Sequence, residues 1–321
     1  MKFVRHLVVL LAAVVSTAAL SADPYPSKPI RILVGYTAGG AVDTVARTIG
    51  QQLSATLGQP VVIENKPGAG TNIAVHTLIE SAPDGYTLML TANALAANMA
   101  LYHPPPFDAE KDVVPVALVG RVPVVIAAKE GSEYTTLAKL VQLAKAKPGE
   151  TGYATPGNGS TPHLAMEMFA HAAGIQLMHV PYKGGSQAIV DVLGGQVPLV
   201  AVNALEVVPH VKAGKLHVLA VMSASRTPML PGAPTIAESG YPGFEASVWY
   251  GLIAPAHTPP EVVAKLHDAV QKALATADVQ KRMSDVGGEA TPGSAAQFGA
   301  LIHDERVRYE KLVKEANIKL D

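Results

Sequence analysis

The chain has no cysteine among its 321 residues. Disulfides and thiolate chemistry are therefore excluded, so stability must come from a buried core and function from oxygen and nitrogen groups. An excess of charge of one sign is also missing, with 25 Lys and Arg set against 26 Asp and Glu. That balance supplies no basic stripe of the kind that nucleic acid or an anionic membrane requires. A long hydrophobic run is absent too: the uncharged stretch from Leu7 to Leu20 falls short of the roughly 20 residues that cross a bilayer.

What precedes and follows that stretch gives it another meaning. Lys2 and Arg5 lie before it, the small residues Ala18, Ala19, Ser21 and Ala22 end it, and the polar Asp23-Pro24-Tyr25-Pro26 comes next. This is the layout of a secretory signal peptide over residues 1–22, with cleavage expected near Ser21 or Ala22 and the mature protein free in a bacterial periplasm. A lipoprotein anchor is excluded by the missing cysteine. Removing Lys2 and Arg5 leaves 23 basic against 26 acidic residues. A chain of this length exceeds one ordinary core and suggests two domains.

Short β-branched runs alternate with helical patterns, which points to α/β architecture with parallel strands. Ile30 to Val34 reads as a strand, Gly35-Tyr36-Thr37-Ala38-Gly39-Gly40 as a loop, and Val42, Val45, Ala46, Ile49 and Leu53 recur at helical spacing up to Gly58. Val61 to Ile63 and Tyr86 to Leu90 are the next strands. The same order returns with a helix over Thr135 to Lys147, the strand Gly152 to Thr155, the loop Pro156-Gly157-Asn158-Gly159-Ser160-Thr161, and a helix that carries Pro162 at its start. Strands over Leu177 to Tyr182, Val197 to Val202, Leu216 to Val221 and Ser247 to Leu252 follow. Helices from Pro260 to Ala275 and Ser294 to Ala316 close the chain and are expected to pack back on the first lobe.

Both glycine-bearing loops stand between a strand and a helix, where backbone N–H groups and a positive dipole end favour an anion. Ligands of open α/β sheets sit at such carboxyl ends of strands. Gly39, Gly40, Gly157 and Gly159 let the backbone approach a ligand, and Thr37, Thr155, Asn158, Ser160 and Thr161 add neutral donors. A bulky residue at Gly39 or Gly159 is expected to abolish binding without unfolding the chain. The bland reading, ordinary βα turns, weakens because two matched loops occur. Lys183, in a third strand-to-helix turn over Val180 to Gln187, is the basic residue near the proposed site; Asp43 sits in the first helical turn, where capping is its default role.

Other chemistries find less support. Gly68-Ala69-Gly70-Thr71-Asn72-Ile73 lacks the third glycine of the dinucleotide fingerprint, and no glycine run is followed by Lys and Ser or Thr. Ser160 has a proline where a nucleophile elbow has its second glycine, so it reads as a ligand donor or helix cap. His163, Glu167 and His171 share a helix face, but residues eight apart lie about 12 Å apart along the axis, too far for one metal ion. Only His163 falls near the loop. No catalytic residue, metal or cofactor is expected.

On these residues the sequence resembles the tripartite tricarboxylate transporter substrate-binding family, the Bug receptors. Tyr25 to Arg31, the Gly39-Gly40-x-x-Asp43-x-x-Ala46-Arg47 stretch, Glu64 to Gly70 and Ala82 to Thr87 match its pattern. So do Gly157 to Ser160, His179 to Gly184, Leu193 to Val197 and Pro209-His210-x-Lys212-x-Gly214, so the likeness spans nearly the whole mature chain. The resemblance implies a periplasmic-binding-protein (Venus flytrap) fold of two α/β lobes, with two interlobe crossings near Val124 and Ser247. Lobe 1 would comprise residues 23–124 and 247–321, and lobe 2 residues 125–246. It also implies a carboxylate held between the loop of Ala38 to Gly40 and that of Thr155 to Ser160, with further contacts at Thr91 and Asn93.

The sequence departs from the family in places. Val202 stands beside Asn203 where the family often has an aspartate suited to a ligand amino group, which takes support from an amino-acid ligand. The first loop is Tyr36-Thr37-Ala38 in place of a Pro-rich, aromatic one, and Met99 replaces a usual proline after Asn98. The reading that results is a monomeric periplasmic receptor that captures a small organic acid and presents it to the membrane subunits of a tripartite transporter. A solute sensor for a membrane kinase and an exported hydrolase are the rivals. Aromatic carboxylates, dicarboxylates and neutral amides all remain open as ligands.

Overall fold

The computed structural model describes residues 24–285, 288–315 and 318. The leader expected over residues 1–22 lies outside the described residues. Strand β1 (Ile30–Val34) runs into the loop 35–40 and helix α1 (Ala41–Leu57). Val42, Val45, Ala46, Ile49 and Leu53 form one buried face of this helix, and each of the larger side chains contributes about 1.5–3 kcal/mol on burial. Gly58 ends it in the left-handed conformation (φ 70°), its N–H on Ser54 O, a stop that glycine adopts without strain.

Strands β2 (Val61–Asn65) and β3 (Thr87–Ala92) pair in parallel with the two sides of β1. Helix α2 (Asn72–Ile79) links them, and α3 (Ala94–Leu101) follows β3. The long strand β4 (Val113–Lys129) comes next, then α4 (Leu137–Ala146), β5 (Gly152–Thr155), α5 (Thr161–Ala173), β6 (Met178–Pro181) and α6 (Gly185–Gly194). The remainder is β7 (Leu199–Asn203), α7 (Ala204–Lys212), β8 (Leu216–Val221), β9 (Ser247–Pro255), α8 (Pro260–Leu274), α9 (Ala277–Asp285), β10 (Glu289–Ala290) and α10 (Ala295–Glu315).

Strand β4, which carries Pro115 and Pro123, had no counterpart in the sequence pattern. Prolines are tolerated at bulges, and the register of β4 against β9 shifts between Pro115 and Ala117 and again between Leu118 and Gly120. This strand also joins the two halves of the molecule. Val113 to Pro123 pair with β9, whereas Val124 to Lys129 pair with β7 and β8. The chain comes back beside the same point: Met222 N–H donates to Val124 O (2.8 Å) and Ala246 N–H to Met222 O (2.7 Å), just before β9 begins.

The strand order is β2-β1-β3-β9-β4-β7-β5-β6, with β8 and β10 also on β4. The all-parallel expectation holds for β1, β2 and β3 and for β5 with β6 and β7, but β4 and β9 run antiparallel to their neighbours. Two strands that carry the chain between halves, one out and one back, must oppose each other. Helix α8 packs on α1, and α10 packs on α3 and β4. The side chains of β9 alternate, so Trp249 meets Phe298 of α10 at 5.3 Å between ring centroids while Val248 and Tyr250 join the other core cluster.

Candidate functional site

Four helices begin at the carboxyl ends of strands around one narrow space: α1 after β1, α5 after β5, α6 after β6 and α7 after β7. Their first turns carry unsatisfied N–H groups and partial positive charge. A small cavity lies among them, walled by Gly40, Ala41, Ser160, Thr161, Gly185, Asn203 and Glu206, and completed by Tyr36, Ala92 and Val248 among others. About 20 Å³ of it is open to water, room for one molecule. A second, outer cavity of about 240 Å³ runs between Gly35, Tyr36 and Gly68 to Thr71 on one side and Pro156 to Asn158 and Pro181 to Lys183 on the other.

The two halves touch across this cleft. Thr37 N–H donates to Lys183 O (3.1 Å), and Ala41 N–H donates to Glu206 Oε1 (3.1 Å). A Cβ on Gly159 would overlap Asn98 Oδ1, one on Gly184 would overlap Thr37 Oγ1, and one on Gly70 would stand 2.9 Å from Asn158 O. Glycine is required at these positions because the facing segments leave no space for a side chain. A larger cavity of about 830 Å³ is lined by Arg121, Ser247, Trp249, Tyr241 and Arg308, among others. It lies on the opposite face of β9, since Ser247 and Trp249 alternate with the cleft-lining Val248. Its Arg308 is already engaged by Glu305 and Glu245 O.

Tyr36, Gly40, Ser160, Thr161 and Asn203 come together on the inner cavity, and Tyr36, Gly157, Asn158 and Lys183 on the outer one. Thr37 bridges the halves through its backbone. Ala38 and Gly39 are exposed, and nothing lies within 4 Å of a Cβ built on Gly39, so that half of the loop faces solvent. Asp43 is buried and turned to its own loop, accepting from Gly39 N–H (2.9 Å), Arg47 and Asn65. Burial works to raise this carboxyl, but the bonds from Arg47, Gly39 and Asn65 together hold it below its ordinary range.

Thr91 and Asn93 are buried, but the neighbour between them, Ala92, is the one that lines the cavity. Asn93 is committed elsewhere: its amide donates to Glu305 (3.0 Å) and Tyr309 (3.1 Å) and its Oδ1 accepts from Trp249 N–H (3.0 Å). Thr155 and His163 form the wall behind the second loop. Thr155 Oγ1 accepts from Gly157 N–H and pairs with His179 Nε2 (2.6 Å), while His163 Nδ1 accepts from Gly159 N–H (3.2 Å) and its ring stacks on His179 at 3.9 Å. Burial lowers His163 to about 4, and burial with the neighbouring His163 lowers His179 to about 2, so both rings are neutral braces. His171, by contrast, is exposed on the far cavity.

Glu206 is the functional group that the sequence reading missed. Its carboxyl is buried and accepts from Ala41 N–H across the cleft and from Asn203 N–H (3.3 Å) and Nδ2 (3.4 Å) within its own turn. Burial pushes it up to about 7 against the pull of those hydrogen bonds. A signal existed: Asn203 followed three residues later by Glu206 is a capping-box spacing, and it falls at the carboxyl end of a strand. Buried polar atoms without partners stand in the same region, namely Thr37 Oγ1, Thr161 Oγ1, Asn203 Oδ1 and Tyr250 OH.

Two α/β halves facing each other across a cleft, joined by two antiparallel strands, define a protein of the periplasmic-binding-protein class. The chain is similar to BugT of Bordetella pertussis (strain Tohama I), with 36% identity over 314 residues covering 97% of this chain and 96% of that one. The solved periplasmic binding protein BugD is 34% identical with a TM-score of 0.88, covering 92% of this chain and 99% of its own. R. palustris Rpa4515 with adipate is 33% identical, also with a TM-score of 0.88 and coverage of 92% and 99%. Residues 45–318 match the tripartite tricarboxylate transporter family receptor, and the chain belongs to that family.

Proposed function

We propose that the chain is a periplasmic receptor that closes two lobes on a small organic acid and presents it to the membrane subunits of a tripartite tricarboxylate-type transporter. Lobe 1 comprises residues 23–124 and 247–321 and lobe 2 residues 125–246; the export leader is residues 1–22, and the mature protein works as a monomer. The observation that carries the reading is the cleft itself, where Thr37, Thr161, Asn203 and Tyr250 leave buried polar atoms unpartnered. Such atoms cost about 1–3 kcal/mol each when unmet, and a solute that meets them recovers that cost on closure. The outer cavity has room for about eight waters, a volume that suits a small acid. Lys183 on its rim offers positive charge to a carboxylate, and the similar Rpa4515 is solved with adipate.

Closure around the solute excludes water and strengthens each hydrogen bond to it. No bond-breaking is assigned to the site. Ser160, the hydroxyl whose surroundings invite comparison with a nucleophile, donates to Gly157 O (2.7 Å) and caps α5 by accepting from His163 N–H. A thermal-shift screen of ligand-stripped mature protein against mono-, di- and tricarboxylates, aromatic acids, amino acids and amides tests the reading. A solute at 100 times its dissociation constant adds about 2.7 kcal/mol of stability. A shift with one class of acid supports the receptor; no shift with any organic acid sinks it.

A further inference from the structure

The inner cavity already contains a carboxyl group of the chain's own, an anion at about pH 8. Glu206 receives Ala41 N–H from the start of α1 and Asn203 N–H from the start of α7, and a Cβ on Gly185 at the start of α6 would overlap its carboxyl oxygens. Two helix N-termini, which would otherwise invite a solute carboxylate, are thus answered by one side chain, and a third abuts it. Among the described residues, no Lys, Arg or His lines this cavity. A second carboxylate entering it meets like charge in a desolvated space, a juxtaposition that costs several kcal/mol.

A donor meets the opposite situation. Glu206 and the unpartnered Asn203 Oδ1 are both acceptors in the cavity wall. The open space of about 20 Å³ admits one water-sized group, and an ammonium or an amide N–H can donate to these acceptors where an ionised carboxylate oxygen cannot. We propose that Glu206 is the specificity-determining residue of the cleft, selecting organic acids that carry an ammonium or primary amide at the end entering the inner cavity and rejecting those with a second carboxylate there. The inference rests on the receptor reading above and narrows its solute class. The solute's own carboxylate then lies in the outer cavity on the Lys183 side.

The groups facing Glu206 are Ala41 of α1, Gly185 of α6, Asn203 of its own turn, and the phenols of Tyr36 and Tyr250. Burial raises both phenols further above neutrality, so Glu206 is the group here that changes charge near neutral pH. It is a carboxylate at about pH 8 and largely protonated at about pH 6.

Calorimetric titration of the mature protein at about pH 8 tests the proposal, using α,ω-dicarboxylates, their monoamides and the ω-amino acids of equal chain length. In the wild type, a monoamide or amino acid is expected to bind at least about tenfold tighter than the matched dicarboxylate. Glu206→Gln, which keeps the shape and one acceptor oxygen, should weaken the ω-amino acid and tighten the dicarboxylate, each by about tenfold. Lowering the wild type to about pH 6 should tighten the dicarboxylate without any substitution, and this arm decides alone if the variant fails to fold. A dicarboxylate preference at the higher pH, or a preference that neither the variant nor the pH change moves, overturns the proposal while leaving the receptor intact. If no member of any series binds either protein, the proposal falls, and the wider acid screen above decides the receptor reading separately.

Discussion

The turn before α1 and the turn before α5 look alike in sequence, each a strand, a glycine-bearing loop and a helix, yet they are completed in opposite ways. The α5 turn is self-contained: Ser160 caps the helix and holds Gly157 O, and Gly159 N–H is received by His163 Nδ1. The α1 turn has Gly40 at its cap with no side chain to offer. Its Ala41 N–H is answered by Glu206, 165 positions away in the opposite half. One turn is therefore a preformed wall and the other is finished only when the cleft shuts. Local resemblance between two loops does not make their roles equal.

Acid separates them most. His163 and His179 brace the α5 turn with folded values lowered to about 4 and about 2, so the unfolded chain takes up protons first as pH falls through about 6.5. Stability is fully present above that value and is lost below it, with His163 alone accounting for on the order of 3 kcal/mol by about pH 4. Glu206, raised to about 7, adds stability over part of the same window, so the test is the difference in denaturation midpoint between wild type and His163→Asn, in which the wild type should lose ground from neutral pH to about pH 4. Asp43 in the α1 turn is likewise lowered, so its contribution survives this window and is lost only as pH falls through and below the ordinary carboxylate range. A difference that opens only in that lower range breaks the comparison.

Glycine substitutions come next. Gly159→Val places a branched side chain against Asn98 at φ 73° and should hold the halves apart, weakening solute binding by about a hundredfold. Gly39→Val meets open space at φ 81°, so it should cost about 1–2 kcal/mol of stability and leave affinity within about threefold. The equal loss expected from sequence at both glycines is thus revised, and calorimetry on the two variants decides it. Asp43→Asn removes a buried acceptor of several charge-assisted bonds and should cost about 2 kcal/mol in urea unfolding. Ser160→Ala removes one cap, for about 1 kcal/mol by the same measurement.

Much of the fold could be read because its signals are local. The five apolar positions of α1, Gly58 as its stop and Pro162 in the first turn of α5 lie within a few residues of what they control. Strand β4 could not be read that way, since the bulge that accommodates Pro115 forms against β9, more than a hundred residues later. Facing was equally hidden on β3, where five of six residues are buried. With both faces covered, no alternation of polar and apolar residues shows which side meets the cleft. Thr91 and Asn93 are candidates through the family resemblance alone, and no such alternation could show that Ala92 is the residue lining the cavity.

The sequence by itself determined the strand-loop-helix units, the loops that hold the glycines, and the family, because these rest on neighbours along the chain. The tertiary structure alone decided which loop atoms face the cleft and which face solvent, and it brought Glu206 to the first turn of α1. The reason is physical: whether a carboxyl caps its own helix or answers another depends on how two half-sheets are set by the strands between them. That placement turned a pocket read as a carboxylate site into one that already holds a carboxyl group of its own.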